Sequence, residues 1–224
     1  MSDEKLVLTS GEAILTPDDA TLVPEPLPMV ERLALAAEYR EDDGTGEHTR
    51  RVGRASALLA RAIGLPRSDV MMIRQAAPLH DVGKIAIPDK ILLKPNILTP
   101  QEWGIMKTHT TIGAKIVSAA NYPILRTAEA IALSHHERWD GAGYPHGLGG
   151  ESIALPARIV AVADAFDAMT HPRPYRPARP ADEALAELER GAGTHFDPRC
   201  VEGFFSLLGD PVARSLLGLP DPER

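Results

Sequence analysis

The chain has 224 residues, 44% of them hydrophobic, and carries a formal net charge of −7, which allows one sizeable core or one domain plus an appendage. The acidic balance argues against a broad nucleic-acid-binding surface, although an anionic substrate stays open wherever metals supply local positive charge. No apolar run approaches the ~20 residues needed to cross a bilayer, the opening Met1-Ser2-Asp3-Glu4-Lys5 is no signal peptide, and the single cysteine, Cys200, rules out an internal disulfide and fits a reducing cytoplasm.

Residues 1–28 are weakly patterned and end in Pro24, Pro26 and Pro28, which reads as an extended linker. From Met29 to Arg40 an apolar stripe of Val30, Leu33 and Ala37 predicts the first helix. The next runs from near Glu47 to Ile63, with His48, Val52, Ala55 and Leu59 on one face. Gly64-Leu65-Pro66 stops it, and Ser68 is expected to cap a helix that carries His80 and Asp81 and ends around Gly83. Thr99-Pro100-Gln101-Glu102 is a capping box with proline at the first helical position. It should start the helix that presents His109, whose face reads Ile105, His109, Ile112 and Ile116. A further helix from about Ile124 ends at His135-His136. The loop Asp140-Gly141-Ala142-Gly143-Tyr144-Pro145 follows. Leu155-Pro156 opens a helix striped with Ile159, Val160, Ala163, Asp164, Asp167 and Ala168. Short helices near 181–192 and 198–208 finish an all-α domain over 29–208, with 209–224 as a C-terminal tail.

The chemistry lies in an ordered set of seven residues: His48, His80, Asp81, His109, His135, His136 and Asp164. Five of the eight histidines belong to it. Imidazole and carboxylate together suit first-row transition metals, whereas thiolate sites need cysteines that this chain lacks. Asp164 in the middle of an apolar stripe would cost several kcal/mol unless paired or metal-bound. Consecutive helical residues point about 100° apart, so His80 and Asp81 serve two neighbouring metals more readily than one. The expected first metal takes His48, His80, Asp81 and Asp164, and the second takes Asp81, His109, His135 and His136, with Asp81 bridging. Two ions about 3.5–4 Å apart sharing a hydroxide suit in-line attack on a phosphodiester. Asp167, one turn after Asp164, reads as a supporting partner or an ordinary helix ion pair. His146, His171 and His195 are read as structural, and Cys200 as a packed small residue.

Together, His80-Asp81-Val82-Gly83-Lys84, His135-His136-Glu137 and the glycine-rich loop resemble the HD-GYP domain, a subgroup of the HD metal phosphohydrolases. The resemblance spans about residues 30–208 and continues through Arg158-Ile159, Ala163-Asp164, Arg173-Pro174-Tyr175-Arg176 and Gly193-Thr194-His195-Phe196-Asp197-Pro198. It implies an HD helical bundle with extra C-terminal helices, and hydrolysis of cyclic di-GMP to pGpG, sometimes onward to GMP, on iron or manganese. It also implies a cytoplasmic bacterial signalling role, and docking of GGDEF-type or other signalling partners through the Gly-Tyr-Pro loop. No DNA, RNA or membrane partner is expected. Several family members place a third-metal glutamate four residues before the first histidine. Here that position is Gly44, which has no side chain to ligate, so two metals are expected unless Asp43 substitutes.

Lys84, three residues after Asp81, is expected to reach the scissile phosphate. Arg173 and Arg176 can fork onto the second phosphate, and Tyr144 offers a face for guanine stacking. Against this active phosphodiesterase stand two alternatives. One is an HD hydrolase for another cyclic dinucleotide or a nucleotide monophosphate, for which the two arginines would be superfluous. The other is a catalytically weak module that binds the dinucleotide or recruits a partner, which would be free to lose the seven ligands that this chain retains.

Overall fold

The computed structural model describes residues 28–40, 46–118, 122–172 and 177–219. Helices run through them in the order α1 (Pro28–Glu38), α2 (Glu47–Ala62), α3 (Arg67–Ala76), α4 (Asp89–Leu92), α5 (Pro100–Lys107), α6 (His109–Val117), α7 (Pro123–Ser134), α8 (Leu155–Thr170), α9 (Ala181–Gly191), α10 (Pro198–Ser206) and α11 (Pro211–Leu216). Among the described residues no β-strand forms, and only one isolated bridge joins Ala192 to Phe196. The all-α expectation is met.

The core lies where α2 packs against α3 and α8, with α7 closing the side of α3 and α8. Leu59, Ile73, Leu79, Ile131, Ile159, Leu188, Phe204 and Leu207 are fully buried there. Each comes from a different segment, so the buried faces of successive elements meet in one core that holds the bundle together. Phe166 of α8 and Phe204 of α10 meet with ring centroids 4.9 Å apart, which ties the C-terminal helices to the central pair.

Several local expectations need correction. Ser68 does not cap α3: the N-cap position belongs to Pro66, and Ser68 lies inside the helix. That helix also stops at Ala76 rather than near Gly83. Pro78 has no amide proton to give the Arg74 carbonyl, and the chain tightens into 3₁₀ segments at Ala77–Leu79 and Val82–Ala86. The capping box at Thr99 forms, with Thr99 and Glu102 bonding reciprocally, but its helix ends at Lys107. His109 is the first residue of the next one, α6. The buried face of α6 is His109, Gly113 and Val117, while Ile105 and Ile116 are exposed, contrary to the stripe read from sequence. The expected tail contains α11, whose Ala213 is fully buried with Leu217 and Leu219 close behind. Residues 1–27 lie outside the described residues.

Candidate metal centre

Four breaks in the helical framework aim six of the seven residues at one volume, and the middle of a helix supplies the seventh. His48 is the second residue of α2, and His80-Asp81 occupy the kink between the two 3₁₀ segments. His109 begins α6, and His135-His136 directly follow α7. Asp164 projects from the middle of α8. Because His80 and Asp81 stand at a kink rather than on a regular helix, both side chains turn to the same side.

Asp81 sits at the middle, and its two oxygens face different groups. Oδ2 lies 3.3 Å from His80 Nε2, while Oδ1 lies 3.3 Å from His109 Nε2 and 3.5 Å from His135 Nε2. Asp164 Oδ1 is 3.5 Å from His48 Nε2 and 3.8 Å from His80 Nε2. Two overlapping donor groups result: His48, His80 and Asp81, with Asp164 beside them, and Asp81, His109, His135 and His136. Ligand atoms of the triad and of the tetrad each fall within 4.8 Å of one another.

The proton positions follow from the partners on the far side of each ring. His80 Nδ1 donates to the Ala77 carbonyl at 2.9 Å, His109 Nδ1 to Met106 at 2.8 Å and His135 Nδ1 to Ile131 at 3.0 Å. A carbonyl only accepts, so each Nδ1 carries a proton, and each ring in its neutral form presents the Nε2 lone pair to the centre. His48 is held the same way by Asp167 Oδ2 at 2.7 Å, and Asp167 is itself gripped by Arg51. Asp167 thus combines the two readings that its place on the stripe allowed, orienting the His48 ring and forming an ion pair with Arg51. The inward atoms His48 Nε2, His80 Nε2, His109 Nε2, His135 Nε2 and Asp81 Oδ1 are buried without a hydrogen-bond partner. Buried polar atoms left unmade cost free energy. Five such atoms converging on one volume form a donor set that fits cations once the imidazoles are neutral.

Electrostatics divide the rings. Burial opposes charge on His80, yet the carboxylates of Asp81 and Asp164 outweigh it and raise the ring to about 9. Burial pushes His109 down to about 4, against the pull of Asp81. Burial and then His135 depress His136 well below the imidazole range. Burial resists ionisation of Asp81, but Lys84 and His80 hold it well below the usual carboxylate range. The carboxylates thus favour a second proton on His80, which a bound cation would have to displace, whereas burial keeps His109 and His136 neutral, the form that ligation requires.

Around this centre, Lys84 Nζ lies 2.8 Å from Asp81 Oδ2. Tyr144 stacks on His136 with centroids 4.8 Å apart, so one of its faces lies on a ring of the centre. Arg173, Arg176 and Gly44 lie outside the described residues. Other residues gained no role from sequence. Glu137, buried directly after the doublet, accepts from the amides of His146 at 2.7 Å and Leu148 at 3.0 Å and so shapes the glycine-rich loop. Its one trace in the sequence was a carboxylate placed directly between the histidine doublet and the glycine-rich loop. At Gly143 a Cβ would fall 2.4 Å from Arg138 N, so only glycine lets that loop close on the doublet. Arg40, at the end of the first helical segment, donates to the carbonyls of Lys84 at 2.7 Å, Ile85 at 2.5 Å and Ile87 at 2.8 Å, and pairs with Asp89.

A family model described as an HD domain matches residues 36–200. The chain is 51% identical over 179 residues to a cyclic di-GMP phosphodiesterase of Thermotoga maritima, covering 80% of this chain and 48% of the relative. It is 52% identical over 171 residues to the cyclic di-GMP phosphodiesterase response regulator RpfG of Xanthomonas campestris, covering 76% and 45%. The chain therefore spans about half the length of these curated relatives. Among solved structures, a cyclic GMP-AMP specific phosphodiesterase of Vibrio cholerae shares the fold, with a TM-score of 0.61 at 19% identity over 87% of this chain and 54% of that one.

Proposed function

Because this chain belongs to the HD domain family, we propose that it is a metal-dependent phosphodiesterase that hydrolyses cyclic di-GMP to pGpG in bacterial second-messenger signalling. The observation that carries this reading is Asp81, whose two oxygens face two separate imidazole groups with inward Nε2 atoms. His48, His80, Asp81 and Asp164 would hold one metal, and Asp81, His109, His135 and His136 the second. The mixed imidazole and carboxylate set supports iron or manganese, and Gly44 in place of a carboxylate supports two ions rather than three. When bound, such ions lower the pKa of water towards neutrality and offset phosphate charge.

The chain's own residues supply the rest. Asp167 fixes the ring of His48, and the Ala77, Met106 and Ile131 carbonyls fix those of His80, His109 and His135. Lys84 stands at the edge of the pocket, where its ammonium can pass from Asp81 to an incoming phosphate oxygen. Arg173 and Arg176 would hold the second phosphate. Tyr144, whose hydroxyl is kept protonated by burial and by Asp81, offers a donor above the centre.

The glycine-rich loop leaves Asp140, Ala142, His146 and Gly147 exposed, which supports docking of a GGDEF-type signalling partner there. No helix among the described residues is long and apolar enough to cross a membrane, in keeping with a cytoplasmic site of action.

The direct test is chromatographic analysis of products after anaerobically purified protein meets cyclic di-GMP. Appearance of pGpG in proportion to bound metal is expected. Intact cyclic di-GMP beside a metal-filled centre would leave the chain as a binding module.

A further inference from the structure

Beyond the centre, α5 carries two side chains to which the family resemblance gave no role. Trp103 is 45% exposed although it is the largest apolar side chain on that helix. It meets Tyr144 in a T-shaped contact at 6.0 Å, and Tyr144 in turn lies on His136. Lys107, one turn further along the same helix, holds its ammonium 5.7 Å from the centre of the Tyr144 ring. An aromatic path therefore runs from a ligand of the centre, through Tyr144, to an indole open to solvent. A cation lies beside its middle member.

Resting on the cyclic dinucleotide reading above, we propose that Trp103 and Lys107 form a base-recognition subsite that selects guanine over adenine. Tyr144 is committed to His136 on one face, so the large exposed aromatic surface here belongs to Trp103. Indole stacks on any purine, and such stacking tolerates either base. Discrimination falls to Lys107. Its ammonium carries only donors. Guanine presents two acceptors, O6 and N7, along the edge where adenine presents one acceptor beside the N6 donor. A lysine at that edge gains a contact with guanine and meets a donor on adenine. A base one ribose away from a phosphate at the centre is the part of the substrate that would reach α5.

The experiment compares full-length wild type, Trp103→Phe, Trp103→Ala and Lys107→Met with cyclic di-GMP, 3′3′-cyclic GMP-AMP and cyclic di-AMP, and with bis(p-nitrophenyl) phosphate as a baseless diester. Trp103→Ala should raise KM for all three dinucleotides by roughly tenfold, in line with the loss of one base stack, and Trp103→Phe should restore most of it. Lys107→Met should narrow the preference for cyclic di-GMP over cyclic di-AMP by about tenfold, the scale of one discriminating base contact. Baseless diester turnover and metal content should hold in every variant. A non-hydrolysable phosphorothioate of cyclic di-GMP should quench tryptophan fluorescence in wild type and not in Trp103→Phe, which retains Trp139 alone. Equal losses on all three dinucleotides in Lys107→Met would make it a phosphate contact and overturn the proposal. An unchanged KM with undiminished quenching in the Trp103 variants would do the same. If wild type cleaves the baseless diester but neither binds nor cleaves any dinucleotide, the functional reading itself falls.

Discussion

Gly83 sits where the 3₁₀ turn Val82–Ala86 lies directly on the first turn of α6. A Cβ built there would stand 1.9 Å from His109 O and 2.5 Å from Gly113 N. Both obstacles are backbone atoms, so no side chain can swing aside. Relief requires the turn and the helix to separate by about 1 Å in an interior that is close-packed. Overpacking of this kind costs about 1–3 kcal/mol, and with backbone on both sides Gly83→Ala belongs at the upper end. For a domain of this size that corresponds to a fall in Tm of roughly 6–12 °C. The same displacement pulls Asp81 and Lys84 away from His109, so metal content should fall along with stability. Gly104→Ala is the control: a Cβ there meets nothing within 4 Å, and the alanine should leave Tm unchanged or raise it, since glycine in a helix costs about 0.5–1 kcal/mol relative to alanine. Thermal unfolding by circular dichroism, with metal analysis on the same samples, checks both variants. A Gly83→Ala protein as stable and as metal-rich as wild type would refute the close approach as a constraint on the centre.

Asp81→Ala removes the one side chain facing both donor groups and should lose both metals or most activity. Full metal content with normal turnover would exclude a bridging role. Arg40→Ala frees three carbonyls of the turn that carries Lys84 and should lower kcat while metals stay bound, with added guanidinium ion restoring part of the rate; an unaltered kcat would leave Arg40 purely structural. Arg173→Ala and Arg176→Ala should each raise KM for cyclic di-GMP, reflecting a lost charge-assisted contact of about 1.5–3 kcal/mol before screening. An equal loss on a simple aryl phosphate would point to a structural role instead.

The sequence foretold much of this architecture because its strongest signals were local. The Thr99 capping box needs only four residues, and an aspartate within the apolar stripe of α8 demands a partner wherever the helix packs. What stayed hidden were the breaks. Helical periodicity runs on through Arg67–Gly83, yet Pro78 turns the segment into 3₁₀ structure, and that kink is what lets His80 and Asp81 face one way. At Thr108 no proline or glycine marks the stop. The hydroxyl donates to the Ile105 carbonyl at 2.7 Å, competing with the backbone for the same acceptor, and this misdirected the stripe through Ile105 and Ile116. Glu137 and Arg40 escaped notice because both act on backbone groups far along the chain, and no side-chain pattern records which carbonyl or amide will lack a partner.

The central claim is that two donor groups sharing Asp81 hold two catalytic metals. It is tested most directly by stripping the protein, reconstituting it anaerobically with ferrous iron or manganese, and measuring metal per chain together with cyclic di-GMP turnover. Wild type should take up two ions and regain activity in step with the second, whereas His109→Ala, which lacks a ligand of one group only, should keep one ion and stay inactive. A wild-type protein that saturates with a single ion, or that fills with two and leaves cyclic di-GMP intact, would contradict the account.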